Sequence, residues 1–219
     1  MRRALISIDL IGFGLYLGLP RRELMTLALG GVLGGLADRN DPNSVVSVLL
    51  KYRGLGAQAL PLMLLLQGAS VVRKGQRSSV TGEMLALVEL YAELVFRGDK
   101  SGAARGPSRV IKALKENKYP WVPPLLQEQF AQFKGPYPLG SIVVLSSKRL
   151  AVVASQPERE DGKTHPVVRL INKQGALCDL LDLSEHKSIT ILGCPDPEKL
   201  PVRLQFLNQK EERPQTSTP

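Results

Sequence analysis

The sequence predicts an α+β chain, a mainly helical bundle followed by a small antiparallel β appendix. Three observations carry this expectation. From residue 1 to about 130, apolar residues recur at three- and four-residue intervals, the period of a helix with one buried face. From about residue 137, apolar and polar residues alternate instead, the period of a strand. Helices first and strands afterwards, without interleaving, mean segregated α+β rather than a parallel α/β sheet. The expected division is 1–135 for the helical part, 136–195 for the β extension and 196–219 for a partly disordered tail rich in Pro, Ser and Thr.

Taken in order, residues 4–17 suit a buried helix. Pro20 sits at the start of a second, over 21–37, which "RNDPNS" breaks. Ser44 is placed to cap a third helix through Lys51. Residues 56–68 read as a fourth, with Pro61 near its first turn, and "RKGQRSS" as a polar loop. "TGEMLALVELYAELVFRG" follows as an amphipathic helix with Leu87, Leu90, Tyr91 and Leu94 on one face. "GPSRVIKALKEN" places Arg109, Lys112 and Lys115 on one side and Val110, Ile111 and Leu114 on the other; "LLQEQFAQF" is the last helix. "GSIVVLSSKRLAVVASQ" is strand, turn, strand, bending at 146–149; "HPVVRLI" is a third strand, "NKQG" a turn and "SITILG" a later strand.

Charge is unevenly spread. The chain carries a formal +9, and residues 1–120 hold 17 Lys and Arg against 9 Asp and Glu, so the basicity belongs to the first half. Such a balance favours an acidic partner and says nothing of the fold. Cys178 and Cys194 lack metal or redox spacing and read as free thiols of a reducing cytosol. Asp9 interrupts the N-terminal apolar run, no small-residue cleavage pattern follows, and no run approaches bilayer length. A cytoplasmic chain without membrane contact is expected.

"LALGGVLGGLADRND" puts Gly30, Gly31, Gly34 and Gly35 in one helical run. A phosphate loop needs a strand before the glycines and Gly-Lys-Ser/Thr after them, and neither is present. Close helix packing accounts for part of the pattern, against the cost of glycine in a helix interior.

From about Gly14 to Asp182 the chain resembles the C-terminal portion of an HD-GYP domain, the cyclic-di-GMP phosphodiesterase branch of the HD phosphohydrolases. "GPYPLGSIVVLSSKRLAVVASQ", "HPVVRLINKQG" and "LLDLS" are similar to the β extension after the family's catalytic helices. "LGLPRRELMTLALGGVLGGLAD" is similar to its opening L-G-L-x-x-x-E-L-x-x-L-x-x-A-x-L-L-H-D-I-G-K, and "ALVELYAELVFRGD" to the helix before its basic helix. The resemblance implies a helical bundle of HD type and an ancestral metal-dependent phosphodiesterase site.

At the matched ligand positions this sequence departs from the family. Gly34 and Gly35 stand where His-Asp is expected, with Asp38 in place of the lysine; Tyr52 stands at a histidine position; Gly68 and Ala69 stand for a histidine pair, and no Gly-Tyr-Pro follows. Glu89 matches a metal-ligating aspartate, but read from the residues alone it is a polar position on a helix. The chain's two histidines, His165 and His186, lie in the β appendix. An HD-type site needs several imidazoles and carboxylates to turn metal-bound water into a nucleophile. The resemblance with these substitutions therefore implies no catalytic residue, no metal and no cofactor.

Arg73, Lys74 and Arg77, in the expected loop over the degenerate pocket, and Arg109, Lys112 and Lys115 are the candidate contacts for an anion or partner; solvated faces are their bland alternative. Arg105 and Lys118 extend that second stripe. The expected function is a catalytically inactive HD-GYP-like signalling protein of bacterial type that binds a protein partner or a guanine nucleotide, with a homodimer left open. The alternatives are an active metal-dependent cyclic-di-GMP phosphodiesterase and, as a weaker reading given 5% aromatic residues, a nucleic-acid-binding protein.

Overall fold

The computed structural model describes residues 2–34, 56, 59–96, 106–158, 162–195 and 200. Among them are six helices and one five-stranded antiparallel sheet, an α+β architecture with the helices first. The helices are α1 Arg2–Tyr16, α2 Arg21–Leu33, α3 Ala59–Arg73, α4 Val80–Phe96, α5 Pro107–Lys115 and α6 Pro124–Lys134. The strands are β1 Ile142–Leu145, β2 Leu150–Ser155, β3 Val167–Ile171, β4 Leu177–Asp182 and β5 Ile191–Gly193. The chain divides into two compact units, one of residues 1–105 and 110–134, the other of 106–109 and 135–219. The expected helix at 44–51, the tail after 200, and Gly35, Asp38, Tyr52 and Arg105 lie outside the described residues.

Local chemistry sets the helix ends. Gly18 has φ +72° and Gly75 φ +82°, the left-handed position that ends a helix cheaply only without a Cβ. At α1 the Leu19 amide returns to the Gly14 carbonyl at 2.9 Å and the Gly18 amide to Leu15 at 3.0 Å, so the last carbonyls are satisfied. Pro20 caps α2, and Pro61 falls in the first turn of α3, where its missing N–H has no partner to lose. Helix α2 runs to Leu33 with Gly34 as its C-cap; the expected continuation over 35–37 lies outside the described residues.

Helix α4 corrects the sequence reading. It was expected to show one apolar face, yet Gly82 through Glu89 is continuously buried, as are Tyr91, Ala92 and Leu94. It is the central helix of its unit, touching α1, α2 and α3. A helix enclosed on all sides shows no clean amphipathic period, because no side needs to be polar. Around it pack Ile6, Leu10 and Phe13 of α1, Leu62 and Leu65 of α3, Val110 and Leu114 of α5, and Phe130 of α6.

Two approaches leave little or no room for a side chain. A Cβ on Gly31 of α2 would stand 2.7 Å from the Ser7 Cα of α1, and the Ser7 hydroxyl donates to the Ala28 carbonyl at 2.8 Å across the same contact. Between α3 and α4, a Cβ on Gly82 would stand 3.1 Å from backbone atoms of Gly68. Small residues here let backbones meet, which answers for Gly31 and Gly68.

Asp9, the charge that interrupts the first apolar run, is bonded by Lys134 at 2.6 Å. The Lys134 ammonium also lies 5.1 Å from the Tyr91 ring centroid. Burial first, and the Asp9 charge second, push the Tyr91 phenol well above its ordinary value. The sign follows directly. Below about pH 10 the phenol is protonated folded and unfolded; above it the unfolded chain releases the proton while the fold retains it, so stability is lost as pH rises. Tyr91→Phe is expected to flatten the fall in urea midpoint between about pH 9 and 11. An equal fall in both proteins would refute the assignment.

In the second unit the strands run in the order β4-β3-β2-β1-β5. Val143 pairs with Ala151, Ala151 with Leu170, and Val153 with Val168, so alternate residues of three strands share one buried face. The bend at 146–149 and the turn at 172–175 lie where expected. In the latter the Asn172 side-chain oxygen accepts from the Gln174 and Ala176 amides, each at 2.9 Å. Strand β4 was not expected: its six residues are half-buried or exposed, which hides the alternation that revealed the others.

Candidate functional site

Of the three glutamates on helix α4, Glu83 and Glu89 are buried, and both meet arginine. Glu83 is 4% exposed, and its Oε1 lies 3.2 Å from the Arg77 Nε. Glu89, six residues later, is 3% exposed, and both its oxygens are engaged. Oε1 accepts from Arg3 of α1, and Oε2 is paired with Arg73 of α3. The two guanidinium groups approach from opposite directions in sequence and keep 27% and 32% of their side-chain surface exposed. A carboxylate removed from water is tolerable only when paired and hydrogen-bonded. The cluster Arg3–Glu89–Arg73 pairs both oxygens with cations and supplies a hydrogen bond at Oε1.

Gly34, the C-cap of α2, closes one side of the cluster. A Cβ there would stand 3.0 Å from an Arg3 guanidinium nitrogen and 3.1 Å from Glu89 Oε1. Positions 34 and 89, matched by the resemblance to two metal ligands, are thus adjacent in space although far apart in sequence. Gly68 is not part of this group. It faces Ser78 and Gly82 at the start of α4, and Ala69 is buried in the core.

Several expectations are corrected by this geometry. Arg73 does not belong to a basic loop; it is the last residue of α3, which extends five residues beyond the expected end at 68, and it is committed to Glu89. Glu89 is a polar position on a helix, as expected, but a buried one. Arg77 lies in the loop as expected but pairs with Glu83, while Lys74 is exposed in the turn after α3. A cue was present in the sequence. Glutamates buried in a helix as apolar as α4 require cations from elsewhere in the chain, and Arg3 is one of them.

The second basic group lies on α5. Arg109, Lys112 and Lys115 are exposed at three-residue spacing, opposite the buried Val110, Ile111 and Leu114. Glu116 accepts from Lys118 at 2.7 Å and lies 4.0 Å from Lys112; these contacts, the Lys118 hydrogen bond first, hold its carboxyl below the usual range. Lys115 borders an open groove of about 440 Å³ with Leu125, Glu128 and Gln132. In the β unit, Cys178 and Cys194 are free and half-buried. Burial pushes the Cys194 thiol up, partly offset by a hydrogen bond with Ser108, which disfavours a thiolate nucleophile. His165 meets the neighbouring Thr164 hydroxyl at 3.2 Å.

The Arg3–Glu89–Arg73 arrangement does not fit a divalent cation. Both carboxylate oxygens would have to leave a guanidinium, and two fixed positive charges would then face the incoming metal. Among the described residues no three His, Cys, Asp or Glu side chains converge as a metal site requires, and no helix is long and apolar enough to cross a membrane. Compared with models of known protein families, with curated proteins and with solved structures, the chain matches none.

Proposed function

We propose that this chain is a catalytically inactive HD-GYP-like protein that works in cytoplasmic signalling by binding, with a protein partner or a guanine nucleotide as its ligand. The observation that carries the reading is the occupation of Glu89 by two arginines. Where the resemblance calls for a metal-ligating carboxylate, two guanidinium groups supply the positive charge that a dication would supply. The adjacency of Gly34 and Glu89 supports the resemblance itself, since motif positions distant in the chain meet at one place. The excess of basic residues in the first half suits an acidic partner or a phosphate-bearing ligand.

The test is hydrolysis of cyclic-di-GMP by purified protein with added manganese or ferrous iron, alongside metal analysis. No turnover above a protein-free control is expected, and metal well below one ion per chain. Turnover accompanied by stoichiometric metal would replace this reading with an active phosphodiesterase. Calorimetric titration of the same nucleotide then separates the ligands: heat of binding without hydrolysis assigns the nucleotide, and silence assigns the protein partner.

A further inference from the structure

We infer that the groove at the corner of α5 and α6 is a site for a short zwitterionic peptide with an apolar side chain. The groove has a volume of about 440 Å³, within the range of small-ligand sites. One wall is the end of α5, with Leu114, Lys115 and Asn117; the other is α6, with Pro124, Leu125 and Glu128. The corner is firmly built. Asn117 takes φ +50°, the left-handed position that turns the chain out of α5, and its amide returns to the Leu114 carbonyl at 2.9 Å. Gln127, fully buried, donates to the Tyr119 and Val122 carbonyls at 3.0 and 2.9 Å. These bonds tie the 119–122 connection to α6 and hold the two walls at a set spacing. A ligand therefore meets a surface already ordered.

Charge selects the occupant. Lys115 and Glu128 both line the groove and are exposed, yet they do not pair with each other. Among the described residues neither has an ion-pair partner; Glu128 accepts a 3.4 Å bond from the Gln132 amide. The nearby Lys112 and Lys118 are by contrast drawn to Glu116. A groove with one cation and one anion disfavours any ligand of single charge: a phosphate meets Glu128, and an amine meets Lys115. A molecule with an ammonium at one end and a carboxylate at the other satisfies both. Leu125, 66% exposed, and Pro124 offer apolar contact for a side chain, and Asn117 an amide for the peptide backbone. The α6 wall from Pro124 to Gln132 runs about 12 Å, and an extended tripeptide spans about 10 Å. The site uses none of the Glu89 cluster, so the inference goes beyond the signalling assignment and does not depend on it.

The experiment titrates the isotope-labelled full chain with the tripeptide Ala-Leu-Ala and follows the amide resonances by NMR. Saturable shifts at Asn117, Leu125 and Glu128 are expected, with a Kd of about 1 mM or tighter. Acetylating the amino end of the peptide, or amidating its carboxyl end, should each weaken binding about threefold, within the range for exposed ion pairs. Lys115→Met should abolish the effect of amidation and Glu128→Gln that of acetylation, each leaving the other effect in place. Both side chains are exposed, so the fold should be unchanged; should a variant misfold, the two blocked peptides on the unaltered chain carry the test. No saturable shift by about 10 mM overturns the inference. So do shifts confined to other parts of the chain, or equal affinity for free and blocked peptides. Full affinity for the acetylated peptide alone would assign the groove to a protein C-terminus, and full affinity for the amidated peptide alone to an N-terminus; either result removes the zwitterion.

Discussion

Glu89→Ala should lower the stability of the helical unit by about 3 kcal/mol, toward the lower end of the range for breaking a buried ion pair. Arg3 and Arg73 retain about a third of their side-chain surface, so water takes up part of the charge that the carboxylate neutralised. The remainder is two positive charges facing each other in a site built for a negative one. Replacing the whole cluster is expected to behave differently. Arg3→Met, Glu89→Leu and Arg73→Met together remove both the attraction and the desolvation of three ions, and should be neutral or stabilising. Urea midpoints with unchanged slope would check both. A single variant costing under about 1 kcal/mol would show that Glu89 is not held by the two arginines as described.

Gly31→Ala is expected to cost about 2 kcal/mol, despite a gain of about 1 kcal/mol in helix propensity. Its Cβ would stand 2.7 Å from the Ser7 Cα and 2.9 Å from the Ser7 amide nitrogen, and backbone can yield only if α1 and α2 separate. Gly30→Ala provides the comparison. The propensity gain is the same, but its nearest obstacle, at 2.4 Å, is the Leu65 Cδ2, the end of a side chain able to rotate. Thermal unfolding should place Gly30→Ala closer to the wild type. Equal losses would mean that α1 and α2 are not pressed together at Gly31.

Both predictions concern residues the sequence singled out for a different reason. The glycine run was legible as a place of close packing or of substituted ligands, and the structure distributes those roles: Gly31 meets backbone, whereas Gly34 borders the Glu89 cluster. Arg73 was legible as a cation beside the candidate site, but its membership of α3 was not. The apolar run of α3 continues through Val71 and Val72, and the sequence does not say whether the next arginine ends the helix or opens the loop. On α5 the exposed basic row and buried apolar row agree with the pattern read from "GPSRVIKALKEN", because a helix half in water must segregate them.

What the sequence by itself determined is local: helices before strands, the end of α1 near residue 17, the alternation of β1, β2 and β3, and the turn at 172–175. Each depends on backbone preference and side-chain period within a few residues, so neighbours in the chain are enough to specify it. The tertiary structure alone decided that α4 is enclosed on all sides, that β4 pairs with β3 despite its exposed side chains, and that Arg3, 86 residues away, meets Glu89. Those outcomes depend on which faces come together. Burial turns a carboxylate from a solvated group into one that must find a cation, and only packing says which cation is within reach.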